Sequence, residues 1–103
     1  MKQAQFQIGQ IVRHSKFGYR GVIYDMDSTF SLSEQWYEQV ASSRPPKDQP
    51  WYRVLVDGGT RETYVAERHL EQDDSGAPIE HPELERHFDE FRGDHYARTR
   101  MLH

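Results

Sequence analysis

Residues 1–24 hold four cations, Lys2, Arg13, Lys16 and Arg20, and no acid at all. Arg13, Lys16 and Arg20 are interleaved with His14, Phe17 and Tyr19. Cations on this spacing can pair phosphates while an aromatic ring between them stacks on a base or packs on a sugar. Arg13, His14, Lys16, Phe17, Tyr19 and Arg20 are therefore the candidate nucleic-acid contacts. The bland alternative is a turn glycine with a few solvating cations around it. A second set lies further along the chain. Leu32, Trp36 and Val40 recur every four residues, a short amphipathic stripe, with Tyr37 and Phe30 beside it. Either this stripe lies on the domain and completes its core, or Leu32, Trp36, Tyr37 and Val40 form an apolar patch for a partner or a second subunit.

Other chemistries find little support. There is no cysteine, so disulfides, thiol nucleophiles and Cys-ligated zinc are excluded. His81, His87 and His95 would not share a helix face, and Glu83 with His87 would supply only two ligands. Ser15 and Ser28 lack a nucleophile-elbow pattern. Gly18 and Gly21 do not open a helix, so no phosphate loop follows. Asp25 and Asp27 could face the same way on a strand end, but turn solubilisation explains them more simply. The expectation is a non-enzymatic chain with no catalytic residue, metal or cofactor.

The elements that position these residues must fit in 103 residues, which favours one domain over residues 1–103. Five Phe, two Trp and six Tyr supply the bulk of a thin core. No apolar run is long enough to span a membrane, and the N-terminus does not resemble a signal peptide, so a cytoplasmic protein is expected. The net charge of −4 argues against binding nucleic acid by bulk electrostatics, which leaves a local patch.

Residues 6–27 read as two strands and a tight turn, with Val22, Tyr24 and Met26 on one face. Residues 28–50 form a helical and loop insertion. Ser31 and Glu34 fit a capping box, and the Pro-rich segment 44–50 is a linker. Strand character resumes over 51–57, with Tyr52, Val54 and Val56 opposite Trp51, Arg53 and Leu55. A hairpin at Asp57-Gly58-Gly59-Thr60 leads to a returning strand over 61–66. Glu67 to Leu70 then makes one helical turn. Pro82 opens a C-terminal helix that places Leu84, Phe88 and Phe91 on one face, Gly93 caps it, and 94–103 is a flexible tail. The fold class is mainly β, a small SH3-like barrel with a short helical insertion and a C-terminal helix, the alternative being a small antiparallel α+β sheet.

Several of these segments together resemble one family. Ile8-Gly9-Gln10-Ile11-Val12-Arg13-His14, Gly18-Tyr19-Arg20-Gly21-Val22-Ile23 and Asp25 open the match. Gln49-Pro50-Trp51-Tyr52-Arg53-Val54-Leu55-Val56, Thr63-Tyr64-Val65-Ala66-Glu67 and Leu70 continue it, and Ile79, His81-Pro82 and Phe88 to Phe91 close it. Over about residues 6–92 the chain resembles the YccV-like, hemimethylated-DNA-binding (HspQ) family. The resemblance implies a barrel without catalytic machinery and a bacterial, cytoplasmic stress-response setting. Two roles are implied: binding hemimethylated DNA, or serving the Lon protease as an adaptor for denatured proteins under heat stress. It supplies no fixed DNA-contact motif. A methyl mark in the major groove needs an apolar contact, for which Phe17 or Tyr19 is nearest. A homo-oligomer is also compatible with the apolar stripe.

Overall fold

Short apolar alternations separated by turns fold into a five-stranded antiparallel sheet. The computed structural model describes residues 3–41 and 43–99. Strands β1 (Ile11–His14), β2 (Arg20–Asp27), β3 (Trp51–Val56), β4 (Glu62–Ala66) and β5 (Leu70–Gln72) take the order β4-β3-β2-β1-β5. A short helix, α1 (Glu34–Val40), lies between β2 and β3, and a 3₁₀ turn over Glu67–His69 joins β4 to β5. One helical turn, α2 (Leu84–His87), precedes a small hairpin of β6 (Glu90–Phe91) and β7 (Tyr96–Ala97).

The pleat sends neighbouring residues to opposite faces. Ile11, Val22 and Leu55 pack on one face with Ile79, Phe88 and Tyr96 from the C-terminal segment. Val12, Ile23, Tyr52, Val54, Val65 and Leu70 pack on the other. Both faces are covered, which is why β3 reads as a nearly continuous apolar run. A third cluster joins the insertion to the sheet through Tyr37, Trp51 and Ala66, with Phe30, Trp36 and Tyr64 against it.

Five sequence expectations need correction. The sheet does not close into a barrel: β4 and β5 are its two edges, and the three-residue turn between them carries the chain across the sheet end. Val22, Tyr24 and Met26 do not share a face, because the register with β3 shifts between Ile23 and Asp25. That bulge turns Met26 toward the cluster of Ile23. The N-cap of α1 is Ser33, whose hydroxyl accepts from the Trp36 N–H, whereas the Ser31 hydroxyl donates to Asp27. Leu32 thus precedes the helix. The C-terminal helix stops after one turn at Phe88, whose backbone is extended. Finally, Asp94–Ala97 is not a loose tail. Gly93, at φ +92°, turns the hairpin, Tyr96 is buried, and its hydroxyl accepts from the Ile79 N–H at 2.9 Å. Packing Phe88 and Tyr96 together outweighs continuing a helix that would be marginal alone. The rest of the expected tail, 100–103, lies outside the described residues.

Candidate functional site

The loop between β1 and β2 is folded around His14. Its Nδ1 accepts the backbone N–H of Lys16 and of Phe17, both at 3.1 Å, and the Gly18 N–H closes on the His14 carbonyl at 2.8 Å. The His14 ring is 6% exposed, stacked on Phe17 at 4.6 Å and on His69 at 5.6 Å. Burial lowers its pKa first, and the neighbouring His69 and Lys16 lower it further. A buried ring with its lone pair committed to the loop acts as a scaffold for that loop. What it presents is Phe17, 69% exposed, and the exposed Lys16.

The other expected contacts divide. Arg20 is committed to acceptors within its own fold. Its Nε donates to Asp73 at 2.9 Å, its Nη1 to Asp57 at 3.2 Å and its Nη2 to the Ala77 carbonyl. This replaces the expected phosphate contact with a structural one. Arg13 is exposed and paired with Glu71 across to β5. Tyr19 is half-buried, hydrogen-bonded to Thr63 at 2.8 Å, with the Arg61 guanidinium over its ring at 5.6 Å. Burial raises its pKa against those two contacts.

The insertion residues divide too. Tyr37 is core: it is buried, its hydroxyl donates to the Pro45 carbonyl at 2.7 Å, and Lys47 sits over its ring at 4.3 Å. Leu32 is half-buried ahead of the helix. Trp36 is half-buried with its ring edge-on to Tyr64 at 5.7 Å and to Trp51 at 6.2 Å. Val40 is 56% exposed.

The two sets, separated in sequence by most of β2, meet in space. One groove of about 470 Å³ is lined by Lys16, Phe17 and Tyr19 at one end and by Trp36 and Val40 from α1. Strand β4 runs along it with Arg61, Glu62, Thr63 and Tyr64. Sequence reasoning placed this strand but missed its part in the groove, and that of Arg53 of β3. The only sequence signal was the alternation of β4, which does not say what its polar face looks onto. Tyr64 stacks on Trp51 at 5.2 Å and carries the Arg53 guanidinium at 4.8 Å. Its hydroxyl donates to Asp27 at 2.7 Å.

Two features of the groove bear on chemistry. Among the described residues Lys16, Arg61, Arg68 and Arg98 have no carboxylate partner, and of these Lys16 and Arg61 line the groove, whereas Arg13, Arg20, Arg44, Lys47, Arg53, Arg86 and Arg92 are all in ion pairs. Secondly, β4 is an edge strand. The Val56 N–H bonds the Arg61 carbonyl and the Glu67 N–H bonds the Pro50 carbonyl. With the β3–β4 register, this turns the backbone groups of Thr63 and Val65 toward β3 and those of Glu62 and Tyr64 outward.

Ser43 and His69 also meet in this groove at 2.8 Å. Burial, then Arg68 and Lys16, lower the His69 pKa, and its ring packs against His14 rather than on a carboxylate that would orient it. Among the described residues no group of three or more His, Asp or Glu could hold a metal ion. No helix of the described residues is long and apolar enough to cross a membrane.

A family model described as "Hemimethylated DNA-binding protein YccV like" matches residues 4–95. The chain belongs to the YccV-like family. The match spans the five-stranded sheet, the insertion and most of the C-terminal hairpin, so loop and groove both lie within it. Among known proteins, the chain is 37% identical over 93 residues to F-box only protein 21 of Homo sapiens and of Pongo abelii. The mouse protein of the same name is 36% identical over the same length. These alignments cover 88% of this chain but only 15% of each relative. The shared unit is thus a small part of those proteins.

Proposed function

We propose that this YccV-like domain is a non-enzymatic module that binds DNA through the groove beside β4. One observation carries the reading: the groove cations without a carboxylate partner, Lys16 and Arg61, flank exposed aromatic and apolar surface. The family description supplies DNA as the partner and hemimethylation as the mark. Lys16 and Arg61 take phosphates, and Phe17 offers a ring for stacking. Trp36 and Val40 form an apolar wall that a methyl group can touch. Arg20 has no part in contact, and His14 acts by shaping the loop. A cytoplasmic location fits this role.

The test is a titration of labelled hemimethylated, unmethylated and fully methylated duplexes at two salt concentrations. Specific readout predicts a hemimethylated preference that survives added salt, whereas a purely electrostatic contact weakens for all three together. Lys16→Glu with Arg61→Glu should abolish binding, both positions being exposed. Unchanged binding by the folded double variant would exclude the groove.

A second reading has its own observation. The outward backbone of β4 is a template for an added strand, and a net charge of −4 suits a protein partner better than DNA. It corresponds to the adaptor role, with Lon protease and denatured chains as partners. Binding of a reduced, carboxymethylated protein in the absence of any duplex binding would favour it.

A further inference from the structure

We infer that the groove takes an unpaired nucleotide, swung out of the helix or in a single strand, rather than reading a base in place within the duplex. The inference rests on the DNA reading above and names the form of DNA it requires.

Shape is the first argument. A methyl on a paired base lies inside a major groove about 12 Å wide and about 8.5 Å deep, which a helix or a two-stranded ribbon enters as a convex body. Here the cations and rings line a concavity of about 470 Å³. That volume lies within the range of about 300–1,000 Å³ that encloses a small ligand. A concave wall meets a base only when the base comes out to it.

Hydrogen bonding is the second argument. Tyr64 turns both its N–H and its C=O away from β3, and Glu62 does the same. A donor and an acceptor on one residue match the edge of a base, an edge that Watson–Crick pairing hides. An unpaired base offers that edge and a ring face together, and the face can lie on Phe17. The third argument is charge, since Lys16 and Arg61 line the same groove with no carboxylate partner and are free to take the phosphates on either side of an extruded base. The wall of Trp36 and Val40 then gives a methyl carried by that base an apolar neighbour.

The experiment compares one labelled sequence in three forms: single strand, perfect duplex, and duplex with one bulged nucleotide. The single strand and the bulged duplex should bind at least about ten-fold more tightly than the perfect duplex. Phe17→Ala should remove about ten-fold of the single-strand affinity, the scale of one stacked base, and weaken the perfect duplex by clearly less. Equal binding of perfect and bulged duplexes would overturn the inference and leave the DNA reading standing. Binding of none of the three would overturn both, and capture of a reduced, carboxymethylated protein in that case would point to strand addition at β4.

Discussion

Arg20 and Asp73, 53 residues apart, form an ion pair at 2.9 Å in which the carboxylate is 2% exposed. Burial pushes the Asp73 carboxyl up, but the Ser75 hydroxyl and the Arg20 guanidinium outweigh it, so its pKa lies below the ordinary value. Arg20 thus ties β2 to the segment after β5, and through Asp57 to the end of β3. Removing it leaves a buried charge without its cation. Arg20→Met should cost about 3–5 kcal/mol, and charge reversal to Glu should prevent folding. A melt showing Arg20→Glu within a few degrees of wild type would contradict this assignment.

The pair also shows what sequence could and could not reveal. Arg20 sits among cations and aromatics that look like a binding set, and nothing local says that Asp73 lies beside it. The strands were legible because Tyr52 and Val54 alternate with Trp51 and Leu55, and the turn at Glu67 was legible from its position after β4. The bulge at Tyr24 was not, since an inserted residue breaks alternation only once its partner strand is known. Nor was the C-terminal hairpin: Leu84, Phe88 and Phe91 have helical spacing, and only the burial of Tyr96 beside Phe88 decides against it. The groove was half legible. Each wall was visible in the chain, but their meeting along β4 depends on long-range pairing.

Tyr37 and Trp36 are neighbours with different duties. Tyr37→Ala removes a buried ring and a 2.7 Å hydrogen bond, and should cost about 3–5 kcal/mol. Trp36→Ala removes a half-buried ring that lines the groove, so it should cost clearly less and weaken ligand binding. Thermal melts of both variants rank them. The reverse order would make Trp36 the core residue. Melts at several protein concentrations would expose any contribution from self-association, because only an oligomer shifts with dilution.

Gly9 and Gly18 both have positive φ, but their surroundings differ. A Cβ at Gly18 would meet nothing within 4 Å, whereas one at Gly9 would lie 2.1 Å from the Tyr96 carbonyl oxygen. The Tyr96 N–H bonds the Gly9 carbonyl at 2.6 Å, which holds the two backbones together. Gly18→Ala should cost about 1–2 kcal/mol, the ordinary strain of a left-handed residue. Gly9→Ala should cost more and disturb the C-terminal hairpin. Equal losses in denaturant titrations would show that the hairpin yields freely.

His14 makes loop and stability sensitive to acid. Its pKa in the folded chain is lowered from 6.5 by burial and by the adjacent His69 and Lys16. Phe17 and Tyr19 also face the ring, and neither supplies a negative charge that would favour protonation. The folded state therefore binds this proton less readily than the unfolded chain does. The contribution is fully present above pH 6.5 and is lost as pH falls from there through the folded pKa. Protonation also removes the Nδ1 lone pair that accepts from Lys16 and Phe17, so the loop should loosen with the same titration. His69 is lowered too, by burial and then by Arg68 and Lys16, and adds to the same slope. His14→Asn separates the two, since the Asn side-chain oxygen can accept from the loop N–H groups but does not titrate. Stability of wild type and variant, measured from neutral pH downward, should converge as acid is added. An identical slope in His14→Asn would assign the whole effect to His69 or to the carboxylates. Histidine resonances followed by NMR over the same range should show the His14 ring titrating below the free value, with the Lys16 and Phe17 amides shifting in step.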